Sequence, residues 1–197
     1  MTIILASGSA IRSQILTAAG VQFDVSRPDV DETGLIEAHL AAGWPVADLP
    51  ARLALEKALS IPAADPEAWV IGSDQVLEFE GRIFEKPRDL GEARARLVDM
   101  HGATHHLRNA VCVVRGGQVA FQETGLVALK MRAMSETEID AYLQAAGSDI
   151  LSSVGAYQVE KLGSRLFERI DGDYFTVLGL NLLPLLGFLK RQGALAF

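Results

Sequence analysis

The sequence predicts an α/β protein built on a mixed β-sheet, and three observations carry that prediction. Compact apolar runs at residues 2–6 and 68–72 are long enough for buried strands. Helix-start signals recur between the strand-like runs: Asp89 with Glu92 three residues on, and Ser135 with Glu138. Two longer strand-like stretches, residues 104–114 and 119–131, meet around Arg115-Gly116-Gly117-Gln118, so part of the sheet is antiparallel.

Taken in order, residues 2–6 form a first strand. Ser7-Gly8-Ser9 breaks it, and a helix starts at Ala10 with Ser9 as its N-cap. Residues 21–25 alternate like a short strand, and 28–43 are polar. A helix covers 46–60, with Leu49, Leu53, Ala54 and Ala58 at helical spacing. Pro62 and Pro66 mark a loop. The strand at 68–72 ends in Ser73-Asp74-Gln75. Residues 76–79 and 82–84 flank Glu80-Gly81, a hairpin turn. Asp89 caps a helix to Met100, Ser135 caps one through Ala145, and a last apolar helix covers 183–191.

Bulk properties narrow the function classes. At 197 residues the chain can bury a real core. A net charge of −7 argues against broad binding to nucleic acid, including an RNA-binding scaffold, yet leaves room for a local anion site. The single cysteine, Cys112, lies in an apolar run and reads as core. Without a signal-peptide pattern or a membrane-length apolar run, the expected location is the cytoplasm.

Candidate chemistry starts at the N-terminus. A strand ending in small residues at a helix start presents free N–H groups and the positive end of the helix dipole to one point. Ser7 and Ser9 add hydroxyls, and Arg12 in the first turn suits a bound phosphate; the same pattern is also an ordinary strand–loop–helix. Asp74, where an apolar strand emerges, can activate water or bind a metal, or simply cap its own turn. Lys86, in Glu85-Lys86-Pro87, can neutralise phosphate charge or stand solvated at a strand end. Glu56-Lys57 is costly if it faces inward and a polar stripe if it faces out. Asp31-Glu32 reads equally as metal ligand or helix cap. His105 and His106 point to opposite faces of a strand, and His105 reads as structural. Glu160 can accept two N–H bonds from a guanine edge or stand exposed. Neither a P-loop nor a dinucleotide fingerprint is present.

In register, these segments resemble the Maf family of nucleoside triphosphate pyrophosphatases. The resemblance runs from Leu5-Ala6-Ser7-Gly8-Ser9 with Arg12, through Val30-Asp31-Glu32, Ala54-Leu55-Glu56-Lys57-Ala58 and Ile71-Gly72-Ser73-Asp74-Gln75-Val76. It continues to Glu85-Lys86-Pro87, Gly102-Ala103-Thr104-His105, Gly155-Ala156-Tyr157 and Gly172-Asp173-Tyr174 with Val177-Leu178-Gly179-Leu180. It implies one elongated α/β domain over residues 1–197, similar to the inosine triphosphate pyrophosphatase fold, with a cleft between two lobes. It also implies hydrolysis of a nucleoside triphosphate to monophosphate and pyrophosphate with Mg²⁺ or Mn²⁺. Asp74 then matches the proton acceptor, and Ser7, Ser9, Arg12, Lys57 and Lys86 match phosphate-contacting positions. Glu32, with Asp74, is assigned to metal. A homodimer is the common prior for such proteins.

Three positions set base choice in the family: Arg, Thr and Gln in the branch that cleaves dTTP and UTP, Trp, Gln and Glu in the 7-methyl-GTP branch. Here they are Ile11, Gln75 and Glu160, so two match the latter. Ile11 replaces an aromatic that could stack on a cationic methylated base. Asn109 stands where Thr is usual, and Asn181 where Pro is frequent. The alternatives are a dTTP/UTP pyrophosphatase, or a nucleotide-binding regulator of cell division and septum formation without turnover.

Overall fold

The structure, a computed structural model, describes residues 1–62 and 66–197. The middle of the loop expected between Pro62 and Pro66 therefore lies outside the described residues. The chain runs β1 (Ile3–Ala6), α1 (Ala10–Ala18), β2 (Asp24–Ser26), α2 (Glu32–Ala41), a 3₁₀ turn (Val46–Asp48), α3 (Leu49–Leu59) and β3 (Trp69–Phe79). It continues with β4 (Arg82–Phe84), α4 (Leu90–Met100), β5 (Thr104–Arg115), β6 (Gln118–Met131) and α5 (Glu136–Ala146). Two further 3₁₀ turns, β7 (Phe167–Asp171), α6 (Tyr174–Val177) and α7 (Leu182–Arg191) complete it. One seven-stranded sheet has the order β2-β1-β3-β5-β6-β7, with β4 on β3. β1 is parallel to β2 and β3, whereas β4 and β7 run antiparallel to their neighbours, so the sheet is mixed as expected.

The chain divides into two compact units, and β3, β5 and β6 each contribute residues to both. The first comprises Met1–Gln75, Asn109–Gly125 and Gly179–Phe197. On one face of its strands, Ala6, Val70, Ala110, Cys112 and Val114 pack against Ala54, Ala58 and Ile61. Cys112 is a buried core thiol, pushed up to about 11 by burial. On the other face, Trp69 meets Phe188 of α7 edge to face. The second unit comprises Val76–Arg108 and Leu126–Leu178. Leu97 and Met100 of α4, Leu107, Leu129, Met131, Ile139 and Tyr157 fill its core.

Four local expectations change. Ser9 makes no side-chain cap to α1; its backbone N–H instead donates to Ser7 Oγ at 3.2 Å. The stretch read only as polar contains α2, whose apolar residues show no helical stripe; Asp31 caps it by accepting from the Gly34 N–H at 3.0 Å. The strand expected to stop at Gly72 runs unbroken to Phe79, and its hairpin turns on Glu80 and Gly81, both at positive φ. At α4, Asp89 accepts from the Glu92 N–H as expected, but the Glu92 carboxylate reaches the Arg88 N–H rather than that of Asp89.

His105 is fully buried, with Nε2 2.6 Å from the Tyr157 hydroxyl. Burial, helped by the charge of His106, pushes its imidazole down to about 4. The unfolded chain then takes up a proton near pH 6.5 that the folded chain refuses until about pH 4. This contribution to stability is complete above pH 6.5 and is lost as pH falls towards 4, by about 3 kcal/mol. Urea denaturation across that range should show the slope in the native protein and a flatter one in His105→Gln. An equal slope in both would assign it elsewhere.

Candidate active site

The centre of the site is assembled by glycine. Val70, Gly72 and Asp74 alternate onto the β3 face that meets α3, where Ala54, Lys57 and Ala58 form the facing stripe. A Cβ at Gly72 would lie 2.0 Å from the Ala54 carbonyl oxygen and 2.9 Å from the Ala58 nitrogen. Only glycine permits this approach, and it brings the Lys57 ammonium to Asp74. Lys57 Nζ is 2.5 Å from Asp74 Oδ1 and 2.8 Å from Glu32 Oε2 at the start of α2. The Lys57 and Asp74 side chains are each 7% exposed and Glu32 is 50% exposed, so the first pair is desolvated and the second is screened.

Beside this pair sits the strand–loop–helix. Ala6 pairs with Gly72, so β1 ends level with the start of Ser73-Asp74-Gln75. Arg12 points from α1 to the Ser7 hydroxyl at 3.3 Å and donates through Nε to the Gly179 carbonyl at 2.7 Å. Ser73 Oγ donates to that same carbonyl at 3.1 Å. Gly179 has φ 96°, a conformation that favours glycine, and this aims its carbonyl at both donors. α1 has no acidic residue in its first turn, so nothing there competes with an incoming anion.

The electrostatics centre on a buried carboxylate flanked by two cations. Burial raises the Asp74 carboxyl above the usual carboxylate range, opposed by Lys57 and Arg12. Burial likewise lowers the Arg12 guanidinium, opposed by Asp74 and Glu32, and it remains a cation. A carboxylate whose proton affinity is raised by burial, beside two cations that favour its ionised form, can take a proton from water when ionised.

Of the residues singled out in the sequence, Ser7, Arg12, Glu32, Lys57 and Asp74 converge in the first unit. Ser9, partly buried, joins through its N–H to Ser7; Ile11 is partly buried on α1, and Gln75 follows Asp74 on β3. Lys86 and Glu160 belong to the second unit: Lys86 is exposed in the loop after β4, and Glu160 is exposed, with its charge felt by Tyr142. Asn109 and Asn181 are buried in the first unit. Both amide atoms of Asn109, and Asn181 Oδ1, have no hydrogen-bond partner among the described residues. Sequence reading missed Ser73 and the Gly179 carbonyl. Gly72 within a strand pattern was the available signal for a close backbone approach.

A buried carboxylate–ammonium pair beside a serine- and arginine-bearing strand–loop–helix defines a site able to seat an anion next to a buried carboxylate. The Maf-like protein family matches residues 2–192, so the chain belongs to the Maf family. It is similar to a nucleoside triphosphate pyrophosphatase of Bradyrhizobium diazoefficiens, 45% identical over 98% of this chain and 95% of the relative. A nucleoside triphosphate pyrophosphatase of Nitrobacter hamburgensis is 44% identical over 98% and 95%. A 7-methyl-GTP pyrophosphatase of Rhizobium etli is 42% identical over 98% and 97%.

Proposed function

We propose that the protein hydrolyses a nucleoside triphosphate to the monophosphate and pyrophosphate, with Asp74 as general base. The observation that carries this reading is the buried Asp74–Lys57 pair set beside Arg12 and Ser7. The names of the relatives support the reaction type. Asp74 accepts a proton from water as the water oxygen bonds to phosphorus; the anhydride bond between the α- and β-phosphates breaks, and pyrophosphate leaves. Ser7 and Arg12 hold phosphate oxygens, with Ser9 at the start of α1. Lys57 moves its charge from carboxylate to phosphate, and Lys86 neutralises the chain of phosphates.

Glu32 and Asp74 share one ammonium, and their hard oxygen donors suit Mg²⁺ or Mn²⁺, ions commonly held by one or two carboxylates plus substrate phosphates. No group of three His, Cys, Asp or Glu converges among the described residues, so substrate and water would complete the shell. When bound, such an ion supplies Lewis-acid stabilisation of phosphoryl charge. No helix among the described residues is long and apolar enough to cross a membrane. The cytoplasm is the compartment this reading implies.

Base choice rests on Ile11, Gln75 and Glu160. Glu160 can accept from the adjacent N1–H and N2 amino group of a guanine-type edge, and Gln75 offers both a donor and an acceptor. A thymine ring has one N–H between two carbonyls, which repel a carboxylate. The expected result is faster cleavage of 7-methyl-GTP, or another modified purine, than of dTTP and UTP. Glu160→Gln should erode the preference about tenfold or more, since a lost matched polar contact is costly. Competition at equal concentrations of 7-methyl-GTP, GTP, dTTP and UTP, read by pyrophosphate release, tests both reaction and base. A preference for dTTP or UTP removes the purine assignment; no release from any of them removes the enzyme.

A further inference from the structure

Arg96 is a buried cation that the proposed reaction does not use. It shares the apolar stripe of α4 with Ala93, Leu97 and Met100 and is 4% exposed. A guanidinium is rarely placed there without a fully engaged ionic partner. Its ion-pair partner, Glu92, is 3.4 Å away and is shared with Arg88. Besides the long bond from Nη2 to Glu92, Arg96 reaches the main chain: Nη1 donates to the carbonyls of Glu85 and Val154. Its guanidinium also lies over the Phe84 ring, 4.9 Å from the centroid.

These partners frame one loop. Phe84 ends β4, Glu85 immediately precedes Lys86, and Pro87 behind it is buried. At the far end, Glu92 accepts from the Arg88 N–H at 3.1 Å and from Arg88 Nε at 2.9 Å. The loop is thus pinned before and after Lys86, while the Lys86 ammonium itself stays exposed. A surface loop does not need a buried cation merely to persist. A lysine that must meet a phosphate at a set position does need its backbone held.

We infer that Arg96 is a positioning residue that fixes the main chain at Glu85, and with it the origin of Lys86, by clamping it to the Val154 carbonyl. The inference rests on the reading of Lys86 as a phosphate-contacting residue. Both carbonyls are taken by Nη1, whose two N–H groups are fixed in the guanidinium plane, whereas an ammonium is a point charge on a flexible stem.

A double-mutant cycle separates positioning from folding. Steady-state kcat and KM for the preferred nucleotide are measured for the native protein, Lys86→Ala, Arg96→Met, Arg96→Lys and both double variants. Arg96→Met should lower kcat/KM about tenfold and Arg96→Lys somewhat less, yet either change should cost under about twofold in the Lys86→Ala background. Arg96→Lys carries the test if Arg96→Met does not fold. Amide exchange over residues 85–88 should quicken in Arg96→Lys while that of Leu97 and Met100 stays slow. Equal losses in both backgrounds, or unchanged exchange at 85–88, overturn the inference and leave the Lys86 reading standing. Full activity of Lys86→Ala alone overturns the Lys86 reading, and the inference with it.

Discussion

Asp74→Asn is expected to reduce pyrophosphate release by about 10²–10⁴-fold while leaving nucleotide affinity within about tenfold. The amide keeps the shape of the carboxylate, and its oxygen can still accept from Lys57, which now stands 2.5 Å from Oδ1. What is lost is a group able to hold the proton of an attacking water. The surroundings of Asp74 suit it to that role, since burial raises its proton affinity while Lys57 and Arg12 favour its ionised form. Removing a base acts on the transition state rather than on ground-state binding, so kcat falls and KM moves little. Equilibrium dialysis with the nucleotide, run beside the turnover assay, separates the two quantities. Turnover within a few-fold of native removes Asp74 as the base. Nucleotide binding by the native protein with no turnover would favour a sensing role instead.

The sequence reveals much of this arrangement wherever local pattern and chemistry coincide. The apolar run into Ser73-Asp74 marks a strand carrying a carboxylate, and Ser7-Gly8-Ser9 before an apolar-periodic segment marks the strand–loop–helix. It is silent where tertiary packing decides. Glu56 and Lys57 are adjacent on one helix, and only the approach of β3 at Gly72 makes Lys57 the buried member. α2 escapes detection because its apolar residues form no stripe, so only the Asp31 cap betrays it. Arg96 falls in a helix with several charges, and its place depends on partners at Glu85 and Val154, the latter 58 residues away in sequence. The Gly179 carbonyl is invisible in principle: it is a main-chain group brought to Arg12 across 167 residues of sequence.

Lys57→Met is expected to cost about 3–5 kcal/mol of folding stability, because it leaves a desolvated carboxylate without its ammonium. The contrast with Glu32 makes the prediction specific. Both carboxylates contact the same Nζ, but the Asp74 side chain is 7% exposed and the Glu32 side chain 50%. Glu32→Gln removes a screened partner whose alternative is water, so its cost should stay within about 1 kcal/mol. Urea denaturation of the two variants beside the native protein compares them directly. The same change alters catalysis in a definite direction. Burial already raises the Asp74 carboxyl, and Lys57 is the largest influence opposing it. Without Lys57 the group stays protonated to higher pH. Since a base must be deprotonated to act, the acidic limb of the kcat/KM profile should move to higher pH in Lys57→Met, and remaining activity should recover as pH rises. A limb that stays in place, with stability lost by less than about 1 kcal/mol, would mean that the Lys57–Asp74 contact neither holds the fold nor sets the proton affinity of the base.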